Sequence, residues 1–160
     1  MSDASPSGEN GPNYDVEITA DELLTELADL AREYAADHDE KRQWWRESFD
    51  MVSEFTEARY WMLEALGGRR AVADAMVQIQ RGGESRNTDG TVNVRAFMRY
   101  CSDQADRAHE RSYGDYTETR QADEAETAYC RILSLIRDDY GVGWPRLDDL
   151  GGNPLKCDLP

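Results

Sequence analysis

The sequence predicts an all-α protein, a single-domain bundle of about five helices with extended N- and C-terminal tails. Three observations lead there. Apolar residues recur at intervals of three and four over most of residues 18–141, the period of one helix face. Thr19 and Glu22 form a capping box, and a second one, written with Asp115 and Glu118, precedes the last helical run. The best candidate for a strand is Val92-Asn93-Val94, and three residues make a poor one.

Residues 1 to about 13 are mostly Ser, Pro, Gly, Asn and acids without an apolar period, and residues 1–17 are read as a flexible acidic tail. The first helix starts at Thr19, with Ile18 and Leu23 placed to close a hydrophobic staple. Leu23, Leu27, Leu30, Ala31 and Tyr34 form its inner face, and the polar run Asp37–Arg42 suggests a break near Asp39. The second helix, about Glu40 to Leu66, carries Trp44, Trp45, Phe49, Met51, Val52, Phe55 and Trp61 over most of its circumference. Such a helix sits centrally in a bundle or inside an oligomer. Gly67-Gly68 is placed to end it as a C-cap. The third helix, about Arg70 to Arg81, presents Val72, Ala75, Met76 and Ile79 and stops at Gly82-Gly83. The fourth, about Val94 to Ser112, presents Phe97, Met98, Cys101, Ala105 and Ala108. The fifth, about Tyr116 to Tyr140, presents Ala122, Ala125, Tyr129, Ile132, Leu133 and Ile136. The bundle domain therefore spans 18–141. Residues 142–160 form a Gly/Pro-rich arm dotted with Trp144 and leucines, either docked on the bundle or binding a partner.

Charge is the strongest compositional signal. The 160 residues hold 33 acids against 18 bases, a net charge of −15, and only Lys41 and Lys156 among the bases are lysines. Such a chain repels itself at low ionic strength, and molar salt removes most of the repulsion. The composition therefore reads as adaptation to a salty cytoplasm, that of a haloarchaeon, or to a virus or plasmid of one. In that setting the acidic charge does not exclude nucleic acid as a partner. No apolar run is long enough to cross a membrane and no secretory signal is apparent, so the expected location is the cytoplasm, or the virion if the chain is virus-encoded. Cys101, Cys130 and Cys157 are odd in number and far apart, which reads as reduced thiols with neither a disulfide framework nor a zinc site.

Few constellations carry chemistry. Glu47, Asp50, Glu54 and Glu57 share one helix face, and Asp103, Asp106 and Glu110 share another. Facing carboxylate pairs on bundle helices can hold Mg²⁺, orient a phosphate and activate water. The pattern resembles the metal site of the all-α nucleotide pyrophosphatases of the MazG type, an ExxE pair followed by an ExxD pair. Glu54 and Glu57 match the first pair. Asp103 and Asp106 stand at the second as DxxD, at a longer separation. The resemblance implies Mg²⁺-dependent phosphate-ester hydrolysis as the alternative reading. The first helix carries an equal stripe, Glu22, Glu26, Asp29 and Glu33, so solvated halophilic faces explain such stripes without metal. Asp106-x-x-His109 has the spacing of a di-iron half-site, but the chain holds only two histidines. No nucleophile elbow, Walker loop or dinucleotide fingerprint occurs. Arg69, Arg70, Arg81, Arg86, Arg95 and Arg99 could face phosphate in a DNA-associated regulator, or serve neighbouring carboxylates.

The aromatics point to a partner. Four Trp, eight Tyr and three Phe are many for so hydrophilic a chain, and aromatics dominate protein contacts. The leading expectation is a non-enzymatic helical interaction protein: a small subunit, an assembly or virion component, or a regulator. It binds a protein partner or its own copies through Trp44, Trp45, Trp61 and Trp144, with no catalytic residue, metal or cofactor assigned.

Overall fold

The computed structural model describes residues 11–81, 83–111, 116–146 and 149. These form four helices and no named strand: α1 (Ala20–Glu47), α2 (Val52–Gln80), α3 (Val94–Arg111) and α4 (Tyr116–Ser134). The last turn of α4 widens into a π-helical turn, Leu135–Asp139. The all-α class holds, and the expected count of about five helices falls to four because two boundaries lie elsewhere.

The first concerns the polar run at Asp37–Arg42, which is helical throughout. Lys41 reaches Asp37 one turn back at 3.8 Å, and His38 is buried against Arg69 of α2. The chain breaks instead after Glu47. There Ser48 donates both its N–H and its hydroxyl to the Trp44 carbonyl, at 3.0 and 2.9 Å. Ser48 and Asp50, whose short polar side chains favour non-helical backbone, make this the weak point of the run. The second concerns Gly67-Gly68, which lies buried within α2 and caps nothing. A Cβ at Gly67 would lie 2.9 Å from the Gln121 carbonyl carbon of α4 and nearer still to its oxygen. One at Gly68 would lie 2.5 Å from the Tyr34 ring of α1. The glycine pair is where α2 passes backbone to backbone with its neighbours. Gly83 does have the left-handed φ, +99°, of a residue that follows a helix end.

α2 and α4 run parallel through the middle, α1 lies along α2, and α3 lies along α4. Leu23 and Leu27 of α1, Val72 and Ile79 of α2, Phe97 and Met98 of α3, and Ile132 and Ile136 of α4 fill the core, all fully buried. The capping box at Thr19 and Glu22 forms as expected, and Asn93 caps α3 by accepting from the Ala96 N–H at 3.1 Å. Asp115 of the second expected box lies outside the described residues.

The base of the bundle is tied by short non-helical contacts. Val92 and Thr91 form isolated bridges to Arg86 and Thr19, and the Val92 N–H donates to Ile18. Residues 11–17, placed by the sequence in the N-terminal tail, pass close to the start of the C-terminal arm. The Asn13 N–H donates to the Val142 carbonyl at 2.8 Å, and the Tyr14 hydroxyl donates to Asp149 at 3.0 Å. The remainder of both tails lies outside the described residues.

The cysteines divide. Cys101 is a free thiol in the core, pushed well above its ordinary pKa by burial. Cys130 is disulfide-bonded, which corrects the expectation of reduced thiols throughout. Residue spacing alone carries no sign of such pairing. Cys157 lies outside the described residues.

Candidate partner-binding surface

The crossing at Gly67 and Gln121 fixes how far the helices reach. Gln121 is five residues into α4, and Gly67 is fifteen residues into α2. At about 1.5 Å per residue, α2 reaches roughly 22 Å beyond the crossing and α4 roughly 8 Å. The end of the α1–α2 hairpin therefore projects about 15 Å past the start of α4.

That end is apolar. Among the described residues the exposed large hydrophobic side chains are Phe49 (76%), Met51 (55%), Val52 (82%) and, at the margin, Trp144 (36%). Three of the four lie within four consecutive positions at the hairpin turn. Beneath them Phe55 meets Phe49 edge-on, with ring centroids 6.1 Å apart, and Trp45 in a tilted contact at 5.6 Å. Trp45 is half-buried, yet its Nε1 is shut off from solvent without a hydrogen-bond partner among the described residues. Buried indole N–H groups usually find an acceptor.

Trp44, Trp45 and Trp61 all belong to this arm of the hairpin and are half-buried. The Trp61 Nε1 reaches Glu57 at 3.5 Å. Trp144 is not with them. It lies at the opposite end of the bundle, with the Arg137 guanidinium 3.9 Å above its ring. Phe49, Met51 and Val52 were read from the sequence as part of a helical stripe. Their exposure follows from the break at Ser48, and the Ser-Phe-Asp-Met sequence, with two helix-competing residues, was the available signal.

The carboxylate pairs of the alternative reading are not brought together. Glu54 and Glu57 are exposed at the hairpin end. Asp103 shares a groove with Gln78, which lies roughly 30 Å down α2 from Glu57. Among the described residues no group of three or more His, Cys, Asp or Glu is placed to hold a metal ion. His109 of the Asp106-x-x-His109 spacing faces Glu126 of α4 at 3.2 Å.

A groove of about 850 Å³ runs between α1 and α4. Glu26, Asp29 and Glu33 of the α1 stripe line it, facing Glu126, Asp138 and Asp139. Arg131 crosses it to Glu33 at 3.0 Å, and Arg32 pairs with Asp29. Several arginines of the candidate phosphate patch serve the fold. Arg69 donates to His38 Nδ1 at 2.8 Å and pairs with Asp39 at 3.3 Å. Arg86 donates to the Ile79 carbonyl, and Arg95 lies between Asp149 and the Tyr14 ring.

No helix among the described residues is long and apolar enough to cross a membrane. No protein-family model matches the chain, and neither a curated protein nor a solved structure matches it.

Proposed function

We propose that this chain is a non-enzymatic helical interaction protein adapted to high salt, a small subunit, assembly component or regulator, with the projecting end of the α1–α2 hairpin as its contact surface. The observation that carries the reading is the exposure of Phe49, Met51 and Val52 together on a projection. Scattered single apolar residues on a surface need no explanation, whereas a contiguous patch marks an interaction site. Trp45 and Phe55 beneath the patch supply a rigid aromatic base of the kind that anchors protein contacts. The acidic remainder of the surface keeps the protein soluble in molar salt and leaves the hairpin end as the place where a partner gains most by excluding water.

The test is site-specific photo-crosslinking in source cells, with the photoreactive residue at Phe49 or Val52 and, as a control, at the exposed Glu40 of the α1 shaft. The reading expects one adduct of defined mass from the two hairpin positions and none from the control. Equal, diffuse labelling from all three positions overturns it.

A further inference from the structure

We propose that the groove between α1 and α4 is the docking site of this chain's own C-terminal segment, residues 154–160, latched there by a disulfide between Cys130 and Cys157 and released by thiol reduction. The inference concerns a different surface from the hairpin end and does not depend on it.

The groove exists because α1 and α4 each pack along α2 but hardly approach each other. Its floor is partly apolar: Leu30 and Leu135 line it and are only partly buried, although both rest on the core. Cys130 lines the same groove.

Cysteine arithmetic names the occupant. Cys130 is disulfide-bonded and Cys101 is a free thiol sealed in the core. The chain has three cysteines, so Cys157 is the partner it can itself supply. A disulfide holds the two Cα atoms within about 7 Å. The residues flanking Cys157 are then brought to the groove as well.

The arm reaches that far. Gly141, with a left-handed φ of +74°, turns the chain back at the end of α4, and the Gly143 N–H donates to the Arg137 carbonyl at 3.0 Å. Asp149 is held at this end of the bundle by the Tyr14 hydroxyl, at 3.0 Å, next to Asn13, which bonds Val142. From Tyr140 back to Cys130 is ten residues of helix, about 15 Å. The eight residues from Asp149 to Cys157 span up to about 26 Å when extended.

Pattern and charge fit the same occupant. Pro154 and Pro160 bracket Leu155-Lys156-Cys157-Asp158-Leu159, and proline disfavours helix on either side of it. In an extended run Leu155, Cys157 and Leu159 share one face. With Cys157 turned to Cys130, both leucines turn to the floor at Leu30 and Leu135. Lys156 falls on the other face, toward the carboxylate rims at Glu26, Asp29 and Asp139. Residues 150–160 hold one lysine and one acid, so this segment adds no net charge to an acidic groove, in a chain that carries −15 overall.

Opening the latch is ordinary thiol–disulfide exchange. A dithiol attacks the S–S bond, passes two electrons and two protons to the chain, and closes to its own cyclic disulfide. Cys130 and Cys157 are left as thiols, and the arm is then held by its leucines alone.

The experiment uses the full chain, purified without reductant in molar KCl, as it stands, after dithiothreitol, and as C157S checked for native helicity. Non-reducing peptide mapping identifies the partner of Cys130, and hydroxyl-radical footprinting with mass spectrometry reads Leu30 and Leu135. The expected result is a Cys130–Cys157 peptide pair within a monomer. Labelling of both leucines is expected to rise at least threefold on reduction, with C157S matching the reduced wild type. A Cys130 that is unlinked, or linked to a second copy at twice the monomer mass, overturns the proposal. A Cys130–Cys157 pair with equal labelling of Leu30 and Leu135 in all three samples overturns it too, since the arm is then tethered without covering the groove.

Discussion

Replacing Gly67 by Ala tests the least expected feature of the fold, the close approach of α2 to α4. In an exposed helix interior Gly→Ala stabilises by about 1 kcal/mol, because Ala restricts the unfolded chain and favours the helix. Here the added methyl meets backbone. It would lie 2.9 Å from the Gln121 carbonyl carbon, against 3.4–4 Å for ordinary contact, and nearer still to the oxygen. A peptide group within a helix cannot rotate away, so α2 and α4 must part by half an ångström or more, loosening the contacts below the crossing. Overpacking of this kind costs about 1–3 kcal/mol, and a rigid backbone neighbour places this site at the upper end. The net loss is then about 2 kcal/mol. At about 2–4 °C per kcal/mol for a chain of this size, melting followed by circular dichroism falls by about 4–8 °C. Gly68→Ala meets the Tyr34 ring, at 2.5 Å, and the Glu124 side chain, both of which can shift, so its loss is smaller. Gly83 is the contrast: its φ is +99° and a Cβ would meet nothing within 4 Å. Asn, which tolerates the left-handed region, is therefore accepted at Gly83 and rejected at Gly67. A Gly67→Ala protein melting at or above the wild-type temperature would refute the close crossing and restore the two-helix reading of this segment.

Other expected outcomes follow from individual environments. Glu124 is half-buried, and that burial, with Glu64 and Asp37 nearby, raises its pKa. Its folded form holds a proton more tightly than its unfolded form, so its contribution is present at low pH and is lost as pH rises through the raised value. Glu124→Gln accordingly raises the melting temperature at pH 7 and leaves it nearly unchanged at pH 4. His38 has the opposite sign: burial and then the Arg69 guanidinium lower its pKa. Its contribution is present above the ordinary histidine value and is lost as pH falls through the lowered one, so His38→Gln flattens stability against pH on the acid side of 6.5 in thermal melts. F49S with V52S, at exposed positions, changes stability by no more than about 0.5 kcal/mol per site, and a larger loss would place these side chains in the core. Cys101 is alkylated only after unfolding, a result readable by mass spectrometry with and without denaturant.

How much of this was legible in the sequence depends on whether the cause is local. The start of α1 was, because Thr19 and Glu22 satisfy each other's backbone within one turn. The inner faces of α3 and α4 were, because Phe97, Met98 and Cys101, and Tyr129, Ile132 and Ile136, repeat with the helix and meet one core. Gly67-Gly68 misled because a glycine pair looks the same at a helix end and at a helix crossing. The difference is a carbonyl on Gln121, fifty-four residues away in sequence. The polar run at Asp37–Arg42 misled for the same reason: His38 looks like a loop residue until Arg69 is opposite it. The candidate surface was half legible. Trp44, Trp45 and Trp61 share one hairpin, but the exposed residues are those at its turn, and Trp144 belongs to the other end.

The carboxylate stripes and the hairpin end can be weighed on one physical basis. An acidic stripe acquires specific chemistry when other groups converge on it and water is excluded; otherwise it is a hydrated face. The α1 stripe at Glu26, Asp29 and Glu33 borders a groove left open among the described residues, where Arg131 and Arg32 offset part of its charge and other carboxylates add to it, so it stays a hydrated face. Glu54 and Glu57 face solvent at the end of a projecting hairpin, and among the described residues they join no cluster placed to hold a metal. Phe49, Met51 and Val52 are the reverse case. They are apolar groups held in water on a local frame that orders them, with Trp45 and Phe55 packed beneath. In molar salt, where long-range charge is screened within a few ångströms, exposed carboxylates select little, while the gain from covering apolar surface remains. On these grounds the proposed contact surface is the apolar turn between α1 and α2 and none of the acidic stripes.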